Sequence, residues 1–160
     1  CHAFVLTGTD EDNRERADQF RCLLEENFPG KPVFSSEYYA SGLVMQEKKG
    51  ERIPVSIEQL AGRRCFAFCG IARPEGFKQT LSKLAIEPVG FRALADHHSY
   101  TRKVVRQLTV EAEKADANFF ICTEKDLAKL CDCDLRLPLY GVVMEVLPDS
   151  GLTSLILKGK

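Results

Sequence analysis

The chain has no tryptophan, two methionines, three histidines and no excess of either charge: 22 Lys and Arg face 23 Asp and Glu among 160 residues, a net charge of −1. Near-neutrality removes the electrostatic argument for nucleic-acid binding, which needs a basic surface to neutralise phosphates, and no nucleic-acid partner is expected. No apolar run approaches the roughly 20 residues that cross a bilayer, and no basic N-terminal region precedes a long hydrophobic one. Neither a spanning segment nor a secretion signal is therefore expected. Three catalytic signatures are also missing. Gly30-Lys31 is followed by Pro32 and lacks the upstream glycine, so there is no G-x-x-x-x-G-K-[ST] phosphate loop, and there is no nucleophile elbow and no H-E-x-x-H. The chain alone cannot cradle nucleotide phosphates by the P-loop device.

What is present fits one compact α/β domain: 44% apolar and 28% charged residues, without a low-complexity tract. The seven cysteines are odd in number, and Cys65 and Cys69 lie inside the apolar run 65–69, which reads as buried free thiols in a reducing compartment. Cys131-Asp132-Cys133 has no second pair at finger-like spacing, so no metal site is expected there. The first residue is Cys1 rather than methionine, which suggests a fragment or a trimmed chain.

Apolar strands alternate with amphipathic helices along the sequence. Residues 3–7 read as a strand that runs through Gly8 into a helix opened by a Thr9/Asp12 capping box, carrying Phe20, Leu23, Leu24 and Phe28 as its apolar stripe and stopped by Pro29-Gly30. Residues 33–56 differ in kind: 43–45 and 53–55 flank a polar turn and predict a two-stranded ribbon with Pro54 on an edge. From Arg63 the strand-loop-helix rhythm returns three times. Strands at 65–69, 89–94 and 118–122 are each followed by a loop and a helix, with Pro74 tolerated in a first helical turn. Residues 139–147 and 152–157 predict a closing antiparallel pair around the turn 148–151. The fold class expected is α/β: a mainly parallel sheet flanked by helices, with a β-ribbon linker and a C-terminal antiparallel strand pair.

In such sheets ligands bind beyond the carboxyl ends of the strands, where helix N-termini also point. The loops there carry the candidate residues. Asp96-His97-His98 holds two of the three histidines, a pair able to serve as acid–base groups, metal ligands or phosphate contacts; the spacing predicts one functional and one structural histidine. Thr123 and Asp126 form a capping box, which leaves Lys125 in a first helical turn where the dipole disfavours a cation unless it meets an anion. Gly70 and Pro74 set tight turn geometry, and Arg73 is a candidate anion contact.

Three motifs in this order, Gly70-Ile71-Ala72-x-Pro74-x-x-Phe77, Asp96-His97-His98-x-Tyr100-Thr101 and Thr123-Glu124-Lys125-Asp126-x-x-Lys129-Leu130, resemble the C-terminal half of the tetraacyldisaccharide 4'-kinase family. The resemblance covers about residues 4–130. It implies a kinase of lipid A biosynthesis in Gram-negative bacteria, transferring the γ-phosphate of ATP, with Mg2+, to the 4'-hydroxyl of a lipid disaccharide 1-phosphate. It further implies a peripheral place on the cytoplasmic face of the inner membrane and an N-terminal P-loop domain as partner. With that domain absent here, the isolated chain is expected to bind no cofactor and to be inactive. By the same resemblance His97, with Asp96 beside it, is catalytic and works with an aspartate of the missing region; from the residues themselves, His98, Lys125 and Arg73 are expected to contact substrate or phosphate, and Gly70, Pro74, Thr101, Thr123 and Asp126 to be structural at the site. Residues 1–32 would end the kinase core, 33–62 form a ribbon linker and 63–160 a C-terminal lobe of one α/β domain. The sequence departs from the family pattern at Cys122, Arg73 and Val104, where the family commonly has threonine, a nearby asparagine and an acidic residue. The runner-up is a metal-dependent D-H-H phosphoesterase holding manganese on Asp96, His97 and His98, although its upstream aspartate motifs are missing. A third reading is a non-catalytic binding domain.

Overall fold

In a computed structural model, the described residues are 1–9, 13–47, 51–96, 98–130, 133 and 135–158. Four sequence-predicted features touch what lies outside them: Asp12 of the first capping box, the ribbon tip 48–50, His97, and Cys131-Asp132 of the Cys131-Asp132-Cys133 run. The chain divides into two compact units, residues 1–39 with 145–160, and residues 40–144.

The second unit holds the sheet that the strand-loop-helix rhythm predicts. Strands β4 (Cys65–Cys69), β5 (Gly90–Ala93) and β6 (Phe119–Thr123) run parallel, β4 lying between β5 and β6, and β6 pairs in parallel with the start of β7 (Leu139–Pro148). Side chains alternate across a strand, and β4 is buried throughout, so it feeds two cores. Cys65, Ala67 and Cys69 join Phe77 and Leu81 of helix α2 (Pro74–Lys83) on one face. Phe66 and Phe68 join Leu108 and Ala112 of helix α3 (Arg102–Lys114) and Leu127 of helix α4 (Glu124–Lys129) on the other. Two backbone approaches require glycine: a Cβ on Gly90 would stand 2.6 Å from the Phe66 ring, and one on Gly141 would stand 2.7 Å from Leu127.

The ribbon is present as expected. The second half of β2 (Val33–Gln46) pairs antiparallel with β3 (Arg52–Val55), and Pro54 sits opposite Val44. A 3-10 turn at Ile57–Leu60 follows and buries Leu60.

In the first unit β1 (Phe4–Thr7) pairs in parallel with the first half of β2, from Phe4 opposite Val33 to Thr7 opposite Ser36. Helix α1 (Arg14–Asn27) is tied down by Arg21, whose guanidinium donates to the Val33 carbonyl and the Ser35 hydroxyl, both at 2.5 Å. The predicted stripe of α1 is there, yet the helix buries no residue. One expectation is overturned. Residues 152–157 do not return as an antiparallel strand; they belong to helix α5 (Ser150–Lys158). The cause is local: after Pro148, Asp149 Oδ1 accepts from the Gly151 N–H at 2.7 Å and the Asp149 carbonyl from the Thr153 N–H at 3.2 Å, a helix start that the short run 152–157, broken by Thr153 and Ser154, does not override. The α/β class stands, with mostly parallel strands and helices around them.

Candidate functional site

The carboxyl ends of β4, β5 and β6 all lie within the second unit, and one buried carboxylate joins those of β4 and β6. Asp126, fully buried on the first turns of α4, accepts the Gly70 N–H from the end of β4 at 2.9 Å and the Thr123 hydroxyl from the end of β6 at 2.7 Å, both on Oδ2. Its own N–H donates to Thr123 Oγ1 at 3.2 Å, completing the predicted cap. The cap is thus only half of what Asp126 does. Its second oxygen, Oδ1, has Lys129 Nζ at 3.8 Å and no hydrogen bond.

The loop after β5 reaches the same place. It is tightened by Leu94 N–H to the Cys69 carbonyl at 2.8 Å, His98 N–H to Ala95 at 3.1 Å and Thr101 N–H to Ser99 at 2.9 Å. Those bonds set Tyr100 inward, its ring edge-on to Phe68 with centroids 5.8 Å apart. A Cβ added to Gly70 would lie 3.1 Å from Asp126 Oδ1 and 3.4 Å from the Tyr100 hydroxyl, so glycine is what lets these two groups close on the β4 end. Burial, and next the Asp126 carboxylate, push the Tyr100 phenol far above its ordinary range, so it remains a protonated donor beside that carboxylate at any physiological pH.

On the outer side of the cluster, Asp96 Oδ1 accepts from Lys125 Nζ at 3.1 Å, with both side chains partly exposed. This answers the sequence puzzle of a lysine in a first helical turn: it meets a carboxylate. The two residues flanking His97 are therefore held differently. Asp96 is anchored to α4, whereas His98 turns its ring inward, its Nε2 buried without a hydrogen bond and its ring edge-on to Tyr100 at 6.2 Å. His97 itself lies outside the described residues.

The remaining candidates take helix-starting positions. Pro74 opens α2 as expected, and Arg73 is its exposed N-cap residue, with no side-chain hydrogen bond or ion pair among the described residues. Thr101 caps α3, accepting from the Val104 N–H at 3.4 Å, so the absence of an acid at Val104 leaves the cap in place. Two contributors went unseen in the sequence. Tyr100 stood inside a motif without a role, its only signal being a tyrosine where phenylalanine would pack equally well. Arg52, on the ribbon, donates to Glu124 at 2.9 Å and fixes the outer start of α4; nothing in the sequence joins those two positions.

Three buried thiols of the second unit are chemically quiet. Burial raises Cys65 to about 11; burial and then Asp126 raise Cys69 to about 11 and Cys122 well above its ordinary value. All three stay protonated at neutral pH and are not nucleophiles. Among the described residues no three His, Cys, Asp or Glu side chains converge as a metal site, and no helix is long and apolar enough to cross a membrane. Chemically, the site offers a frame at the strand ends, with the Asp96–Lys125 pair on its outer side.

Residues 1–158 match the tetraacyldisaccharide-1-P 4'-kinase family. A tetraacyldisaccharide 4'-kinase of Desulfotalea psychrophila is 33% identical over 156 residues, 98% of this chain and 43% of that protein. One of Syntrophus aciditrophicus is 36% identical over 147 residues, covering 90% and 37%. Among solved structures, the "apo" form LpxK from Aquifex aeolicus in complex with ATP superposes with a TM-score of 0.54 at 24% identity, over 82% of this chain and 37% of that one, a likeness of fold. The chain spans less than half the length of these relatives.

Proposed function

Since the chain belongs to the tetraacyldisaccharide-1-P 4'-kinase family, we propose that it is the C-terminal part of a lipid kinase that transfers the γ-phosphate of ATP to the 4'-hydroxyl of tetraacyldisaccharide 1-phosphate, the precursor of lipid A. The observation that carries this reading furthest is the convergence of the β4, β5 and β6 ends on Asp126, with Asp96 locked to Lys125. Phosphoryl transfer asks a protein mainly for positioning and charge stabilisation, and a frame of this kind supplies positioning.

ATP and Mg2+ supply the phosphoryl group and the charge neutralisation when bound. The residues of this chain do not fit that role: there is no P-loop in the sequence and no convergent carboxylate set among the described residues. Nucleotide and metal are therefore assigned to an N-terminal P-loop domain of the same enzyme, and the isolated chain is expected to be inactive. What this chain contributes is the acceptor side. His97 takes the proton of the 4'-hydroxyl, working with an aspartate of the other domain, and Asp96, held by Lys125, fixes the loop that carries it. His98, with its buried ring nitrogen, is the structural member of the pair. Lys125 and Arg73 are the candidate contacts for substrate phosphate, and the whole works as a peripheral protein at the cytoplasmic face of the inner membrane.

The test uses the complete enzyme. His97→Ala should lower kcat by about 100-fold or more, the scale of a lost general base, with ATP affinity within about twofold of the parent. Full turnover in that variant would overturn the assignment.

A further inference from the structure

Tyr100 is the member of the strand-end cluster that the phosphoryl-transfer reading leaves without a task. Its ring packs edge-on to Phe68 with centroids 5.8 Å apart and stands 6.2 Å from that of His98, contacts that phenylalanine would make equally well. The hydroxyl is buried all the same, and a buried phenol costs stability unless a polar group answers it. The group beside it is Asp126. The Gly70 N–H and the Thr123 hydroxyl both bond Oδ2 of that fully buried carboxylate, and Lys129 Nζ is 3.8 Å from Oδ1. Oδ1, the Tyr100 hydroxyl and the Ala95 carbonyl surround the bare Cα of Gly70, where an added Cβ would stand 3.1, 3.4 and 3.4 Å from them. Burial and the Asp126 charge keep the phenol protonated, so it is a standing donor next to the inner carboxylate oxygen.

The place of Tyr100 in the chain makes this pairing a hold on the loop after β5. Asp96 is tied to Lys125 and Tyr100 lies beside Asp126, so two loop residues four apart meet two consecutive residues of α4. The Asp96-His97-His98 sequence begins at the first of these points and ends just before the second. Thr101, directly after Tyr100, caps α3, so the loop has no slack on that side. The two holds differ in strength. The Asp96–Lys125 pair is 40% and 44% exposed, and an ion pair so open to water contributes little by itself. A phenol and a carboxylate shut away from water interact more strongly, and one exposed tie leaves a loop free to pivot where two fix its orientation.

We infer that Tyr100 is a positioning residue for phosphoryl transfer: its hydroxyl, set against the Asp126 carboxylate, holds the loop that carries Asp96-His97-His98 on α4 in its working orientation. This rests on the phosphoryl-transfer reading and adds a residue to it. The test is Tyr100→Phe in the complete enzyme, which keeps the ring on Phe68 and removes only the hydroxyl. Turnover should fall about 10-fold, with KM for ATP and for the lipid acceptor within about twofold of the parent, because a loop out of register loses its orientation for the reaction rather than its substrates. Exchange of the His98 amide, which bonds the Ala95 carbonyl at 3.1 Å, should quicken about 10-fold while that of β4 stays unchanged. In a His97→Ala background the same substitution should cost no more than about twofold, since little is left to position. Equal fold losses with and without His97 would assign the hydroxyl to stability alone and overturn the inference. Full turnover in Tyr100→Phe beside a crippled His97→Ala would overturn it and leave the kinase reading standing, whereas full turnover in both variants would remove the role of His97 and this inference together.

Discussion

The two units of this chain solve the problem of stability in opposite ways. In the second, β4 is buried from Cys65 to Cys69 and apolar side chains pack on both of its faces. In the first, Val33 and Ser36 are the buried residues among those described, while Phe20, Leu23, Ile156 and Leu157 are 48%, 54%, 65% and 69% exposed. Each fully buried side chain of that size contributes about 1.5–3 kcal/mol, and nearly all of the buried side chains among the described residues belong to the second unit. The difference is one of covering: the first unit leaves its large apolar side chains about half exposed or more, in a chain whose curated relative is more than twice as long.

The comparison is broken most severely at Asp126. Replacing it with alanine strands the buried Gly70 N–H and the Thr123 hydroxyl and removes the partner of Lys129. Leaving a buried donor or acceptor unsatisfied costs about 1–3 kcal/mol per group. The Asp126→Ala chain should therefore lose most of the second unit's cooperative unfolding in a denaturant titration. A midpoint close to the parent's would mean that the strand ends are held by packing alone.

How much of this was legible follows from the range of the forces. The ribbon, Pro74 at a helix start and the Thr123 cap are set by neighbours a few residues away, and the sequence pattern shows them. Helix α5 departs from the sequence pattern because a short run such as 152–157, apolar but for Thr153 and Ser154, fits either a strand or a helix, and the deciding group is Asp149, just outside the run. The stripe of α1 was visible, whereas its exposure was not, since periodicity marks an apolar face without saying what covers it. At the site, Lys125 was flagged as a lysine in want of an anion, and Asp96 answers it. Tyr100 meeting Asp126 and Gly70 is a product of three loops brought together by parallel strands, and no spacing in the chain encodes it.

Alkaline pH sharpens the contrast by a smaller amount. Cys65 and Cys69, both in the second unit, are raised to about 11, above the unfolded thiol range of about 8.5. Between those values the folded state holds more protons than the unfolded one, so stability falls as pH rises. The contribution is fully present below about pH 8.5 and is lost toward pH 11. The melting temperature of the second unit should fall across this window, and Cys65→Ala/Cys69→Ala should flatten the slope even if the variant starts from lower stability. A slope unchanged in the double variant would remove the thiols as its cause.

The smallest effect is expected where the sequence pattern looks most like a core. Phe20 and Leu23 have the spacing of a buried helix face, and serine at both positions would cost several kcal/mol if they were buried. They are about half exposed, and α1 buries nothing, so Phe20→Ser/Leu23→Ser should change the unfolding free energy of this chain by no more than about 1 kcal/mol. Under the proposed function the same double substitution in the complete enzyme should cost several times more, because further protein would then cover that face. Equal and small effects in both settings would show that nothing packs on α1, and the contrast between a self-sufficient unit and an incomplete one would then reduce to a difference in composition.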